Sequence, residues 1–132
     1  MKYFFLLLSL TIFSCFAQKK DCNKFKTGTF KYSDNDDWVV TRTDSTQIEV
    51  NKKNGRTLRS SINWLSNCEY VATVKDVNSS VNDIIGKVIK VNITQTDKDT
   101  YIVYATSDEE SYKVKMIKIK NTKNLPNKKM PE

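Results

Sequence analysis

Apolar side chains recur at every second position along this chain, in short runs separated by polar turns. Gly28-Thr29-Phe30-Lys31-Tyr32 places Phe30 and Tyr32 on one face. Trp38 to Thr43 forms a second run, and Thr46 to Lys52 sets Ile48 and Val50 against Gln47, Glu49 and Asn51. Thr57 to Leu65 directs Leu58, Ile62 and Trp64 inward and Arg59, Ser61 and Asn63 outward. Cys68, Tyr70, Ala72 and Val74 share a face, and after Gly86 so do Ile89, Val91 and Ile93. A period of two marks half-buried strands. Thr100 to Thr106 is apolar on both faces, which predicts a central strand. In Tyr112 to Lys120 the apolar parity changes between Met116 and Ile117, which predicts a bulge.

Polar turns separate these eight runs. They include Asp34-Asn35-Asp36-Asp37, Asp44-Ser45, Ser66-Asn67 and Asp97-Lys98-Asp99. Asn54-Gly55 is the sharpest of them, because both residues tolerate the positive φ of a type I′ hairpin. Val77 to Asp83 is the long connection, with Ser80 placed to cap a short helix. Strands joined by short turns pair antiparallel. The predicted fold is therefore all-β, an eight-stranded up-and-down meander. Closure into a small barrel removes its two exposed edges. A two-sheet sandwich is the alternative.

The first residues carry different information. Lys2 followed by the apolar run Tyr3 to Phe13, with Cys15-Phe16-Ala17 ahead of Gln18, has the layout of an export signal. The run is too short to span a bilayer as a helix. The expected organisation is a signal peptide over 1–17, one β-barrel domain over 18–120 and a flexible basic tail over 121–132. The product is expected in the periplasm or outside the cell. In a second reading Ile12-Phe13-Ser14-Cys15 acts as a lipobox, and the protein is anchored through Cys15.

Export changes what the charge means. Lys and Arg number 22 against 15 Asp and Glu, a net +7, which falls to +6 when Lys2 leaves with the leader. Nucleic acid is the usual partner of a basic protein, and an exported chain does not meet it. An anionic cell-envelope component is the partner that remains, unless the charge simply solvates a monomer. Cys22 and Cys68 survive either processing route and read as a disulfide, with two free thiols as the alternative. There is no C-x-x-C pair, so thiol redox chemistry has no support. Histidine is absent. The commonest general base, Ser-His and Cys-His nucleophiles and Cys/His zinc sites go with it.

Gly28-x-Phe30-x-Tyr32 at the head of an eight-strand meander is similar to the opening of lipocalin-like barrels. There a Gly-x-aromatic strand closes the barrel floor, with Trp at the aromatic position and an Arg near the last strand packing over it. Phe30 stands where that family has Trp, and the last strand offers lysines rather than Arg. The chain also resembles a group of small exported bacterial β-barrel proteins of unknown function. That resemblance rests on the leader, Cys22, Gly28-Thr29-Phe30-Lys31-Tyr32, Thr41-Arg42-Thr43-Asp44-Ser45-Thr46-Gln47 and Trp64-Leu65-Ser66-Asn67-Cys68-Glu69-Tyr70. Members of that group often carry the name DNA topoisomerase IV. Topoisomerase chemistry needs several domains, a tyrosine nucleophile beside an arginine and a cytoplasmic location. A short exported β chain supplies none of that scaffold.

Candidate chemistry is sparse. Asp34, Asp36 and Asp37 are carboxylates in one turn, yet they lack the glycine and distant glutamate of an EF-hand, so they read as an ordinary polar turn. No spacing singles out a catalytic carboxylate pair, and no metal or cofactor is expected. Trp38, Arg42, Trp64, Tyr70, Tyr101 and Tyr104 are the candidate ligand-binding residues, against the plainer reading of the aromatics as core. Arg42 and Arg59 are each candidates for an anionic head group. Ala72, Ser60 and Thr73 are small or polar residues that would leave room inside. The expected function is a non-catalytic binding module holding a small apolar or amphipathic ligand. The rival is a filled-core interaction protein that uses its basic surface on the cell envelope.

Overall fold

A computed structural model of the chain describes residues 19–79, 83–108 and 110–119. The leader, Cys15, the cleavage point before Gln18, the Ser80 cap and the 121–132 tail lie outside the described residues. A single 3-10 turn (Asn23–Phe25) precedes eight strands. These are β1 (Gly28–Tyr32), β2 (Trp38–Arg42), β3 (Thr46–Asn51), β4 (Thr57–Trp64), β5 (Glu69–Val77), β6 (Val88–Asp97), β7 (Thr100–Ser107) and β8 (Glu110–Ile119). Each pairs antiparallel with the next, and β1 pairs with β8 (Lys31 opposite Ile117), so the sheet closes into a barrel. Because β1 has a neighbour on both sides, the sandwich alternative is excluded.

Phe30, Val40, Ile93 and Tyr101 are fully buried in the interior. One end of the barrel is closed. Phe25 of the 3-10 turn is buried there, its ring 4.5 Å from that of Tyr101, and Phe30 meets Tyr101 edge-on at 5.5 Å. A Cys22–Cys68 disulfide, with Cα atoms 5.3 Å apart, pins the turn to the β4–β5 connection. Lys118 covers the outside of this floor. Its Nζ donates to the Lys24 carbonyl and stands 6.0 Å from the centre of the Phe30 ring. Gly28 permits that approach. Its φ is +137°, and a Cβ there would come within 2.8 Å of Lys118 Cε.

Three expectations are corrected, and one face that alternation leaves open is assigned. On β3 the polar face turns inward: Gln47 and Asn51 are buried while Ile48 is exposed. The cause is register. Gln47 lies opposite Arg42 and Glu49 opposite Val40, and partners across a ladder point to the same side. β8 has no bulge. Its ladder to β7 runs unshifted from Glu110 to Ile117, so Met116 and Lys118 face in and Ile117 faces out. Lysine suits that inward position because its apolar stem packs while its head reaches the surface. The irregularities fall instead at Arg59/Ser60 and Ile93/Gln95.

The Asn54-Gly55 turn is not type I′, since only Gly55 has positive φ. The Asn51 side chain shapes that connection, accepting from the backbone N–H groups of Lys53 and Asn54. Finally, Thr73 lies between the inward Ala72 and Val74 and therefore faces out.

Candidate functional site

Above the aromatic floor the barrel holds a chain of buried and half-buried polar groups. β2 ends in Arg42, whose side chain is drawn inside and only 3% exposed. Its Nε donates to Gln47 Oε1 at 2.8 Å, Nη1 to the Phe25 carbonyl at 2.9 Å, and Nη2 to the Tyr101 hydroxyl at 3.3 Å. The guanidinium carbon sits 4.9 Å from the ring centres of both Phe30 and Tyr70. From Gln47 the chain continues, with Nε2 donating to Glu49 Oε1 at 2.7 Å. The Tyr32 hydroxyl donates to the other oxygen of Glu49 at 2.9 Å. Positive charge at the floor is thus linked to negative charge higher in the barrel through a neutral amide.

These groups form one wall of a cavity of about 140 Å³. Tyr70 and Ser60 complete the polar side. Ala72, Ile89, Val91, Val103, Ala105, Val114 and Met116 form the apolar side. A larger concavity of about 560 Å³ runs along β6 and β7, lined by Lys20, Thr94, Asp97, Thr100 and Lys115 among others. It is mostly walled by exposed or half-buried polar groups, so desolvation, which gives a site its discrimination, is concentrated in the barrel interior.

Electrostatics follow from burial. Burial disfavours the Arg42 charge, but the oxygens of Tyr70 and Tyr101 and the Glu49 carboxylate outweigh it, so the proton is held more firmly than in water. Burial first, then Glu49, raises the pKa of Tyr32. Burial also raises Tyr70 and Tyr101, with Arg42 opposing it in each. A phenol whose pKa is raised by folding stabilises the fold below the unfolded value and loses that contribution as pH climbs through the folded one. Stability should therefore be intact below about pH 10 and fall above it. The tyrosinate absorbance of these three phenols and loss of the sheet circular dichroism should rise together. Full tyrosinate absorbance with unchanged dichroism would show that these phenols are not desolvated.

The structure brings Arg42, Tyr70 and Tyr101 together on the cavity wall. Trp64 packs behind Tyr70, ring centres 4.7 Å apart, with Lys26 Nζ 5.0 Å above it. Trp38 is half-buried on β2 and is not among the wall residues. Tyr104 is 48% exposed on the outer face, opposite Lys113, so its expected place inside is corrected. Arg59 also faces out, 3.8 Å from Asp76. Tyr32, Gln47 and Glu49 belong to the site and escaped the sequence reading, which had Tyr32 only as a strand residue and the other two only as the far side of β3. Among the described residues no group of three or more acidic or cysteine side chains is placed to hold a metal. In the Asp34–Asp37 turn, Asp36 pairs with Lys31 at 2.8 Å.

Comparison with known proteins gives no match among family models, curated proteins or solved structures.

Proposed function

We propose that this chain is an exported, non-catalytic binding module that holds a small amphipathic ligand inside its barrel. The observation that carries this reading is the interior cavity, apolar on one side and lined by desolvated hydrogen-bonding groups on the other. That division matches the usual anatomy of ligand sites, where apolar walls supply affinity and a few polar groups set orientation. Its volume of about 140 Å³ limits the ligand. Drug-sized pockets run from roughly 300 Å³ upward, whereas a cavity of ~150 Å³ holds benzene. The ligand is a single ring or a short chain, and a long acyl chain is too large. The Cys22–Cys68 disulfide supports an oxidising compartment, in keeping with the leader. The outward lysines of β8, Lys113 and Lys115, are what favours the second reading, a basic surface docked on an anionic envelope component.

Benzene tests the cavity directly. It should raise the thermal midpoint in a saturable, concentration-dependent way. Ala72→Leu should fill the space, abolish that effect and leave stability within about 1 kcal/mol, where overpacking a filled core costs ~1–3 kcal/mol. No benzene effect, together with an overpacking loss in Ala72→Leu, would leave the filled-core reading. That reading expects binding to anionic vesicles that weakens steeply with salt.

A further inference from the structure

The interior of the barrel has an excess of hydrogen-bond donors at one point. A guanidinium carries five N–H groups, and Arg42 directs three of them to Gln47, Phe25 and Tyr101. The remaining two meet no acceptor among the described residues. None of the ion pairs among the described residues involves Arg42. Buried cations are ordinarily paired with an anion, yet no carboxylate among the described residues touches this guanidinium, and Glu49 reaches it only through Gln47.

The Tyr70 hydroxyl lies on the same cavity wall, in a residue only 4% exposed, and makes no hydrogen bond among the described residues. Tyr101 accepts from Arg42 and keeps its own proton free to donate. Among the described residues that line the cavity Glu49 is the one carboxylate, and both of its oxygens are already engaged, by Gln47 and Tyr32. Lys118 places a second positive charge behind the floor.

We propose that the cavity selects an anionic head group, and that its ligand is a small monocarboxylate whose oxygens accept from Arg42 and Tyr70. This rests on the interior-cavity reading above and names the chemistry of that site. The carboxylate supplies the missing acceptor for the free guanidinium edge and for the Tyr70 hydroxyl. A short aliphatic or single-ring body then lies along Val91, Val103, Ala105 and Met116. Arg42 is suited to this task, since its planar fork matches the two oxygens of a carboxylate.

Butyrate, butyramide and butylamine are matched probes that differ in head-group charge. Calorimetric titration should find butyrate bound at least tenfold more tightly than butyramide, and butylamine not bound. Tyr70→Phe removes only a hydroxyl that makes no hydrogen bond among the described residues, so the protein should fold as before. It should weaken butyrate by roughly tenfold or more and leave benzene binding unchanged. If benzene binds but butyrate binds no better than butyramide, the head-group assignment is overturned and the cavity reading stands. If neither benzene nor butyrate binds, the cavity reading itself fails and this assignment with it. Butyrate binding that is indifferent to both Tyr70→Phe and Ala72→Leu would place the acid on the surface lysines and overturn the proposal.

Discussion

Arg42→Ala should cost the fold about 2–6 kcal/mol, the penalty of leaving two buried acceptors without their donor. The substitution leaves Gln47 Oε1 and the Phe25 carbonyl without their donor. Each buried group so orphaned carries a desolvation penalty of about 1–3 kcal/mol. It also removes the side chain that fills the gap between the Phe30 and Tyr70 rings. Set against a typical stability of about 5–15 kcal/mol for a domain, this is a large share. Arg42→Lys keeps the charge but not the fork, and should recover only part of the loss. Urea denaturation of the three proteins decides it. A loss below about 1 kcal/mol for Arg42→Ala, the range of surface substitutions, would mean that the guanidinium is solvated and that the interior network does not hold the floor.

Breaking the disulfide should have a comparable effect by a different route. Cys22 and Cys68 are 46 residues apart. Constraining a loop of that length in the unfolded chain is worth about 4 kcal/mol in the chain-entropy model. Cys22→Ala should lower stability by about that amount in oxidising buffer, and should differ little from the parent once both are held in reductant. In the folded state the bond holds the Asn23–Phe25 turn against the barrel, so part of the loss should appear as earlier exposure of Phe25 and Tyr101. Native protein in which thiol reagents label both cysteines would rule the bond out.

Most of the fold could be read from the sequence because alternation and turn residues are local signals. All eight strands lie where that pattern places them, with ends displaced by at most three residues. Alternation separates two faces, however, and does not say which one the core takes. On β3 a bias toward apolar residues would favour Ile48 and Val50, yet the polar face is the inner one because this barrel keeps polar groups inside. The information needed was present across the Asp44-Ser45 turn. Thr43 N–H donates to the Thr46 carbonyl, so Arg42 meets Gln47 and Val40 meets Glu49. An inward Val40 then requires an inward Glu49. Counting register around that hairpin would have found half of the polar chain.

The same bias toward apolar residues produced the expected bulge in β8, where Ile117 and Ile119 face out and Lys118 faces in. Tyr104 was misplaced because β7 is apolar on both faces, which leaves parity undetermined. Ala72 and Ser60, expected to leave room inside, do line the cavity, but its size could not be read. Its volume is the difference between the space the closed sheet encloses and the summed bulk of side chains from strands distant in sequence.

Closure by β1 and β8 has a consequence for how the protein is made. The seam joins Thr29 to Ile119 and Lys31 to Ile117, strands from opposite ends of the domain. Contacts so far apart in sequence form late and make folding slow. Until β8 has emerged and docked, β1 presents an open strand edge able to pair with another chain. The interval between synthesis and seam closure is therefore the period in which this chain is most exposed to misassembly, and the rate of β8 docking sets its length.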